Sequence, residues 1–330
     1  MLLGIPYRLQ SLDAAPDART LPESLGRFTV PLSAPAETNV LNRFLNRFSA
    51  AGPPAATSFR IPAHTLSGAA LALGHFQPQM DFDGRIRFEN LIVGYQGQYF
   101  PALSLGLAAA GMGISLKDAR VVPGRGVTLG TEWLDTDKSL RLMPYFYKRK
   151  GDKAAFKSTS FQNVYNQNAA STLFRDQVVI IGLTHPDWVD PVSIPTGEAV
   201  APVVVLANTV ASMLNGDYYR VPEWGPWVEI LAIFLVALYL VSLLPRIRVS
   251  TGLALTAIFV VMLGNLYVIV MAAQGIWLQL ITPMAQLLVG HTILGIKRGY
   301  GELAARARIP LAPAGEHLTR QYRGDHIGVH

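Results

Sequence analysis

Three long apolar runs follow one another almost without a break near the C-terminal end of the chain, at 227–244, 251–273 and 276–296, and the basic residues beside them alternate sides. Each run is about as long as a helix needs to cross roughly 30 Å of hydrocarbon at about 1.5 Å per residue. The middle run is dense in Leu, Ile, Val and Phe, which favour insertion by roughly 0.3–0.6 kcal/mol apiece and outweigh the mid-span amide of Asn265. The runs are apolar all round and not along one stripe, unlike a helical hairpin buried in a soluble protein. Three transmembrane helices are therefore expected, dividing the chain into a large domain on one side of a membrane and a tail on the other.

Short loops set the orientation of such spans. The first connector, Pro245-Arg246-Ile247-Arg248-Val249-Ser250, and the end of the third run, Lys297-Arg298, carry positive charge and belong in the cytoplasm. The second connector, Ala272-Ala273-Gln274-Gly275, is uncharged, as an external turn should be. The segment before Trp227 then lies outside, with Trp224 and Trp227 in an interfacial aromatic belt and Glu229 near the outer headgroups. The expected address is a multi-pass protein of the cell inner membrane, its N-terminal domain periplasmic or extracellular and its tail, 297–330, cytoplasmic. Export of so long a leading segment calls for a signal peptide or an earlier span. Residues 1–6 are too short to be either, so the expectation is a chain that lacks its beginning.

Composition narrows the function classes. Half of the 330 residues are hydrophobic and 15% are charged, low for a soluble protein, yet enough chain remains outside the spans for a core. The net charge of +6 is scattered apart from Lys148, Arg149, Lys150, Lys153 and Lys157, with no arginine-rich helix or aromatic ladder beside it. Nucleic acid is not an expected partner. The basic cluster reads as a solvated loop or as a surface for anionic headgroups or an acidic polymer. Without cysteine there is no disulfide, thiolate metal site or cysteine nucleophile. Gly-x-Ser-x-Gly and His-Glu-x-x-His are absent too, so no enzyme is expected. A membrane-tethered periplasmic enzyme and an accessory subunit of a transporter stand as the alternatives.

Ahead of the spans, strand and helix signals alternate, which predicts an α/β domain. Residues 1–65 are the least interpretable part, rich in Pro and Ala, with one amphipathic helix at 37–48 burying Val40, Leu41, Phe44, Leu45 and Phe48. Asp83-Gly84 leads into a strand, Arg85-Ile86-Arg87-Phe88, whose hairpin partner is 91–95, followed by Gln96-Gly97. Pro101 opens a helix at 102–111. A second strand pair is expected at 120–129 and 139–143, and a short helix after Phe161. The run Gln177-Val178-Val179-Ile180-Ile181-Gly182 has no alternation and reads as a buried central parallel strand. After a loop comes a helix at 198–214, closed by Asn215-Gly216.

Several of these residues occur in a familiar order. Gly74-His75-Phe76, Asp81-Phe82-Asp83-Gly84-Arg85-Ile86-Arg87 and Tyr99-Phe100-Pro101-Ala102-Leu103-Ser104 resemble the middle of the CHASE type 2 sensor domain. Phe174-Arg175-Asp176-Gln177, Asp190, Pro195-Thr196, Ala207-Asn208 and Leu214-Asn215-Gly216 resemble its closing half, and the three spans are that family's usual companion. Val204 and Leu206 stand where the family often shows an acidic residue and a histidine, and Pro202 falls one position late, so no ligand role is carried over to those positions. The resemblance implies an α/β sensor domain at 66–226 joined to a three-helix transmembrane bundle at 227–296. Its implied function is to detect an extracytoplasmic stimulus, a small molecule or an envelope component, and to relay it to a cytoplasmic kinase or cyclase. Conveying a shift across lipid with thin helices calls for a homodimer, through the domain or the spans.

In open parallel sheets ligands bind beyond the carboxyl ends of strands, which singles out the loop behind 177–182. It offers Thr184, His185, Asp187, Trp188, Asp190 and Thr196. In one use Trp188 is an apolar platform while His185 and the two aspartates hold a polar ligand or a cation. In the other, commoner use, Asp190 and Thr196 bond the loop backbone and Trp188 fills the edge of the core. Two carboxylates and one imidazole at this spacing fall short of a hard-metal site, so no metal and no cofactor is expected. Inside the spans, Asn265 is read as bonding a neighbouring span, His291 as reaching water at the inner surface, and Pro283 as bending the third helix.

Overall fold

The computed structural model describes residues 2–5, 7–9, 28–32, 52–59, 63–148, 154–222 and 224–307. The helix expected at 37–48 and most of the basic cluster, Arg149, Lys150 and Lys153, lie outside the described residues. The chain divides into two compact units, Met1–Gly225 with Val270–Trp277, and Pro226–Ile269 with Leu278–His330.

The first unit mixes strands and helices. Strand β1 (Leu2–Ile5) is followed by β2 (Tyr7–Leu9), β3 (Ala56–Phe59), helix α1 (His64–Ala69) and β4 (Ala72–His75). β1 runs parallel to β4, and β2 pairs antiparallel with β3. Next come β5 (Glu89–Asn90), β6 (Ile92–Tyr95), β7 (Gln98–Pro101) and helix α2 (Leu103–Gly111). Gln96 and Gly97 both take positive φ, 49° and 76°, which closes β6 and β7 into the two-residue hairpin that suits strand twist. At Gly74 an added Cβ would stand 2.5 Å from the backbone of Leu103, so only glycine lets β4 pass so close to the start of α2.

The hairpin therefore joins 92–95 to 98–101, and Arg85-Ile86-Arg87-Phe88 is not its partner. A fork of ion pairs bends that segment instead. Arg87 reaches Asp81 at 2.9 Å and Asp83 at 2.5 Å, while Asp81 N–H donates to Arg85 O at 2.8 Å. Only Ile86 of the four is buried, among Phe146, Val192, Ile194 and Val205.

A three-stranded meander follows, β8 (Arg120–Val122), β9 (Gly126–Leu129) and β10 (Glu132–Asp135), then β11 (Arg141–Leu142). The single strand expected at 120–129 is thus two, folded at Pro123-Gly124, where Gly124 takes φ 76°. β11 pairs with β5 and not with the meander. Asp137 turns the chain that way, accepting from the backbone of Ser139 and Arg141 and from the Arg141 guanidinium at 2.7–2.9 Å.

Helix α3 (Phe161–Tyr165) forms where expected, with the Ser160 hydroxyl accepting from Asn163 N–H. Among the described residues, the run 177–182 enters no sheet. Val178 and Ile180 pack inward while Val179 and Ile181 are 48% and 79% exposed. An unbroken apolar run tells only that both faces would accept apolar neighbours, and the described residues cover one face. β12 (Val192–Ser193) and β13 (Ala199–Val200) then pair, which delays helix α4 (Pro202–Asn215) past the start expected at 198. Pro202 occupies its first turn and Gly216, at φ 72°, ends it as expected. Helices α2 and α4 pack over a core that includes Leu91, Ile92, Leu105, Val121, Leu129, Leu142 and Met213.

The second unit is built on helices α5 (Gly225–Leu238), α6 (Val249–Gln274) and α7 (Ile281–Ala307). A π turn, Tyr239–Leu243, and a 3-10 turn, Leu244–Arg246, prolong α5. Two stretches, Gly225–Arg246 and Val249–Gln274, are long and apolar enough to cross a membrane, with mean hydropathies of 2.5 and 2.4. The third helix starts at Ile281, five residues later than expected, and runs on through Lys297 and Arg298. Pro283 sits in its first turn, where the missing N–H costs no bond, so it starts the helix and does not bend it. Asn265 donates to Val261 O of its own helix, not to a neighbour. His291 is bonded within the second unit: its Nδ1 meets the Thr256 hydroxyl at 2.9 Å, which meets the Tyr239 hydroxyl at 2.9 Å.

Candidate functional site

The loop behind 177–182 is carried by a tight turn. Trp188 and Val189 N–H both donate to His185 O, at 3.0 and 3.2 Å, and His185 Nδ1 accepts from Asp187 N–H at 3.3 Å. The Asp187 carboxylate lies 3.5 Å from the same ring nitrogen, so these two side chains are brought together. Trp188 is 75% exposed and stands clear of the core. Thr184 and Asp190 are exposed, and Asp190 joins no cluster of metal-ligating side chains among the described residues. The Thr196 hydroxyl is buried and has no hydrogen-bond partner among the described residues. The turn thus presents an indole face beside an imidazole–carboxylate pair, open to solvent, a surface suited to a small ligand with an apolar part and a polar or cationic part.

From this loop the chain runs through β12 and β13 into α4, and α4 holds its neighbour by side-chain bonds to backbone. Asn208 accepts from Tyr147 N–H at 2.8 Å and donates to Val204 O at 2.7 Å. Ser212 accepts from Tyr145 N–H at 2.8 Å and donates to Tyr145 O at 3.0 Å. The Tyr147 hydroxyl donates to the Asp217 carboxylate at 2.6 Å and accepts from Asn215 at 2.9 Å. Burial, with Asp217 beside it, pushes that hydroxyl up to about 12. Asn208 and Asn215 were visible as motif residues, but their partners lie 61 and 68 residues away in the chain.

In a second polar region Ser104 and His75 stood among the motif residues, while Glu89 and Thr209 had no signal in the sequence. Glu89 of β5 accepts from the Ser104 hydroxyl at 2.5 Å, at the first turn of α2, and lies beside the Thr209 hydroxyl of α4, which donates to Val205 O at 3.1 Å. Burial raises its carboxyl to about 6 against the opposing pull of those hydroxyls. His75, fully buried on β4, is lowered to about 3 by desolvation and stays neutral.

Past α4 the chain reaches α5 through residues that are themselves fastened. The buried Tyr218 hydroxyl donates to Trp133 O at 3.0 Å, and Tyr219 N–H donates to Met143 O at 2.9 Å. Arg220 N–H donates to Gly275 O at 2.7 Å, and Trp277 N–H returns a bond to Arg220 O at 2.9 Å. The turn between α6 and α7 is in this way part of the first unit.

A mixed strand-and-helix domain is thus followed by apolar helices, two of them long enough to cross a membrane. The chain belongs to the CHASE2 domain family, whose model matches residues 12–242. CHASE2 is an extracellular sensor domain and not a catalytic one. The matched residues begin ahead of the domain start at 66 that the resemblance implies, and end within the π turn that prolongs α5. Comparison with curated proteins gives no match, and neither does comparison with solved structures.

Proposed function

We infer that the protein is a sensor of the cell inner membrane that detects an extracytoplasmic stimulus and relays it to a cytoplasmic kinase or cyclase. The division is 66–226 for the sensor domain, with 1–65 leading into it, three spans within 227–296, and a cytoplasmic tail at 297–330. The third span is the apolar part of α7. The stimulus is a small molecule or envelope component, received by Thr184, His185, Asp187, Trp188, Asp190 and Thr196.

One observation carries this reading: the uncharged turn at Gly275 is hydrogen-bonded into the sensor unit through Arg220. A turn between two spans that is built into a domain must share that domain's side of the membrane. The opposite pole agrees. Arg298 of α7 donates to Ile247 O at 3.3 Å and to Leu244 O, capping the end of the first apolar stretch beside Arg246 and Arg248. The basic residues therefore gather at one end of the helices, as the positive-inside rule requires of a cytoplasmic face.

Alkaline phosphatase fusions provide the test. Fusions after residues 168 and 275 should be active, and fusions after 247 and 307 inactive. Activity in the reverse set would place the domain in the cytosol and end the sensor reading.

A further inference from the structure

In the second unit, one bond brings two basic segments of the chain together. The Arg298 guanidinium of α7 donates to Leu244 O and Ile247 O, which flank Arg246 and stand just ahead of Arg248. Its acceptors are carbonyls, so Arg298, with Lys297 next to it in the chain, joins Arg246 and Arg248 without any charge being neutralised. Arg246, Arg248 and Lys297 are exposed, and none of the four pairs with a carboxylate among the described residues. Between Glu229 and Glu302 the sequence holds no acidic residue, and one carboxylate at 302 cannot balance four cations. Like charges gathered in this way repel unless an anion lies among them.

The surface that adjoins these cations says what kind of anion. Leu243, Val249 and Ile296 are exposed, and each sits within three residues of one of the basic side chains. A free anion would meet the cations and leave that apolar band uncovered, while an apolar peptide would cover the band and leave the cations unmatched. An amphiphile with a negative headgroup meets both at once.

We propose that this end of the helices binds an anionic phospholipid, its phosphate held by Arg246, Arg248 and Lys297 and its acyl chains lying on Leu243, Val249 and Ile296. Arg298 is the positioning residue, since it holds α7 against the end of the turn that prolongs α5. The site rests on the membrane reading above and goes beyond it. Scattered positive charge orients a helix, whereas cations tied together from two segments select a headgroup.

Native mass spectrometry of the full-length chain in a neutral detergent counts bound lipids and gives their affinities. Phosphatidylglycerol should bind in preference to phosphatidylcholine of the same acyl chains, whose phosphate is offset by choline. Each basic side chain beside an anionic headgroup contributes roughly fivefold in affinity. Arg246→Gln with Arg248→Gln should therefore weaken phosphatidylglycerol roughly 20-fold. Arg246→Lys with Arg248→Lys should retain it, and Lys117→Gln, at an exposed position of the first unit, should leave it unchanged. Inorganic phosphate should compete no better than chloride at equal ionic strength. Equal binding of the two lipids, an unchanged affinity in the glutamine pair, or displacement by inorganic phosphate would each overturn the proposal. Should the glutamine pair not fold, Lys297→Gln alone decides the question by its own loss of roughly fivefold. A reversed set of phosphatase fusions would move the site to the other leaflet and leave these affinities as they are, so a failure of the sensor reading and a failure of the lipid site are separable.

Discussion

Glu89 and His75 titrate in opposite senses. A carboxyl raised from 4.5 to about 6 binds more protons folded than unfolded, so its contribution to stability is full below pH 4.5 and is lost as pH rises through about 6. A shift of that size corresponds to about 1–2 kcal/mol. A histidine lowered from 6.5 to about 3 does the reverse: its contribution is present above pH 6.5 and drains away as pH falls toward 3. Between pH 6 and 4.5 the two slopes oppose each other. Glu89→Gln removes one of them, so the variant should lose stability on acidification from pH 6 to 4.5 more steeply than the parent protein. Denaturant melts followed by tryptophan fluorescence at several pH values check this, and parallel profiles would refute it. Asn208 makes a simpler case. Asn208→Ala leaves Tyr147 N–H without its acceptor and should cost about 1–2 kcal/mol, read as a lowered denaturation midpoint at unchanged slope.

Elements were legible in the sequence where a local signal settles them. The Gln96-Gly97 turn and the Gly216 stop of α4 fall where turn and capping chemistry put them. Partnership between elements was not legible. Arg85-Ile86-Arg87-Phe88 alternates like a strand because one residue, Ile86, is buried, while the Arg87 fork dictates the path. The segment 177–182 reads as a central strand because composition reports faces and not neighbours. The candidate loop was singled out as lying beyond a central parallel strand, and 177–182 forms no such strand; the His185–Asp187 pair follows from proximity in the chain, whereas the seam from α4 to Tyr145 and Tyr147 depends on contacts more than sixty residues apart. The Tyr239–Thr256–His291 chain is of the same long-range kind, and it gives α6 its polar hold on both neighbours. Thr256→Val should remove both bonds at once. Since such bonds in membranes average about 0.6 kcal/mol, a loss of roughly 1 kcal/mol is expected in detergent unfolding, with helix content unchanged.

At the scale of the whole molecule the central question is which ends of the helices share a side. Gln274→Cys and Arg248→Cys answer it with one reagent. A membrane-impermeant maleimide applied to intact spheroplasts should label residue 274 and spare residue 248, and permeabilisation should expose residue 248. Labelling of both, or of residue 248 alone, would contradict the assignment of the Gly275 turn to the domain's side. The same turn has a mechanical meaning. Because Arg220 grips Gly275 and Trp277 only a few residues before α5 begins, the start of α5 and the elbow joining α6 to α7 are knotted to the same short stretch of chain. Neither can leave that knot while the Arg220–Gly275 and Trp277–Arg220 bonds stand, so a strain on either is felt first at Arg220.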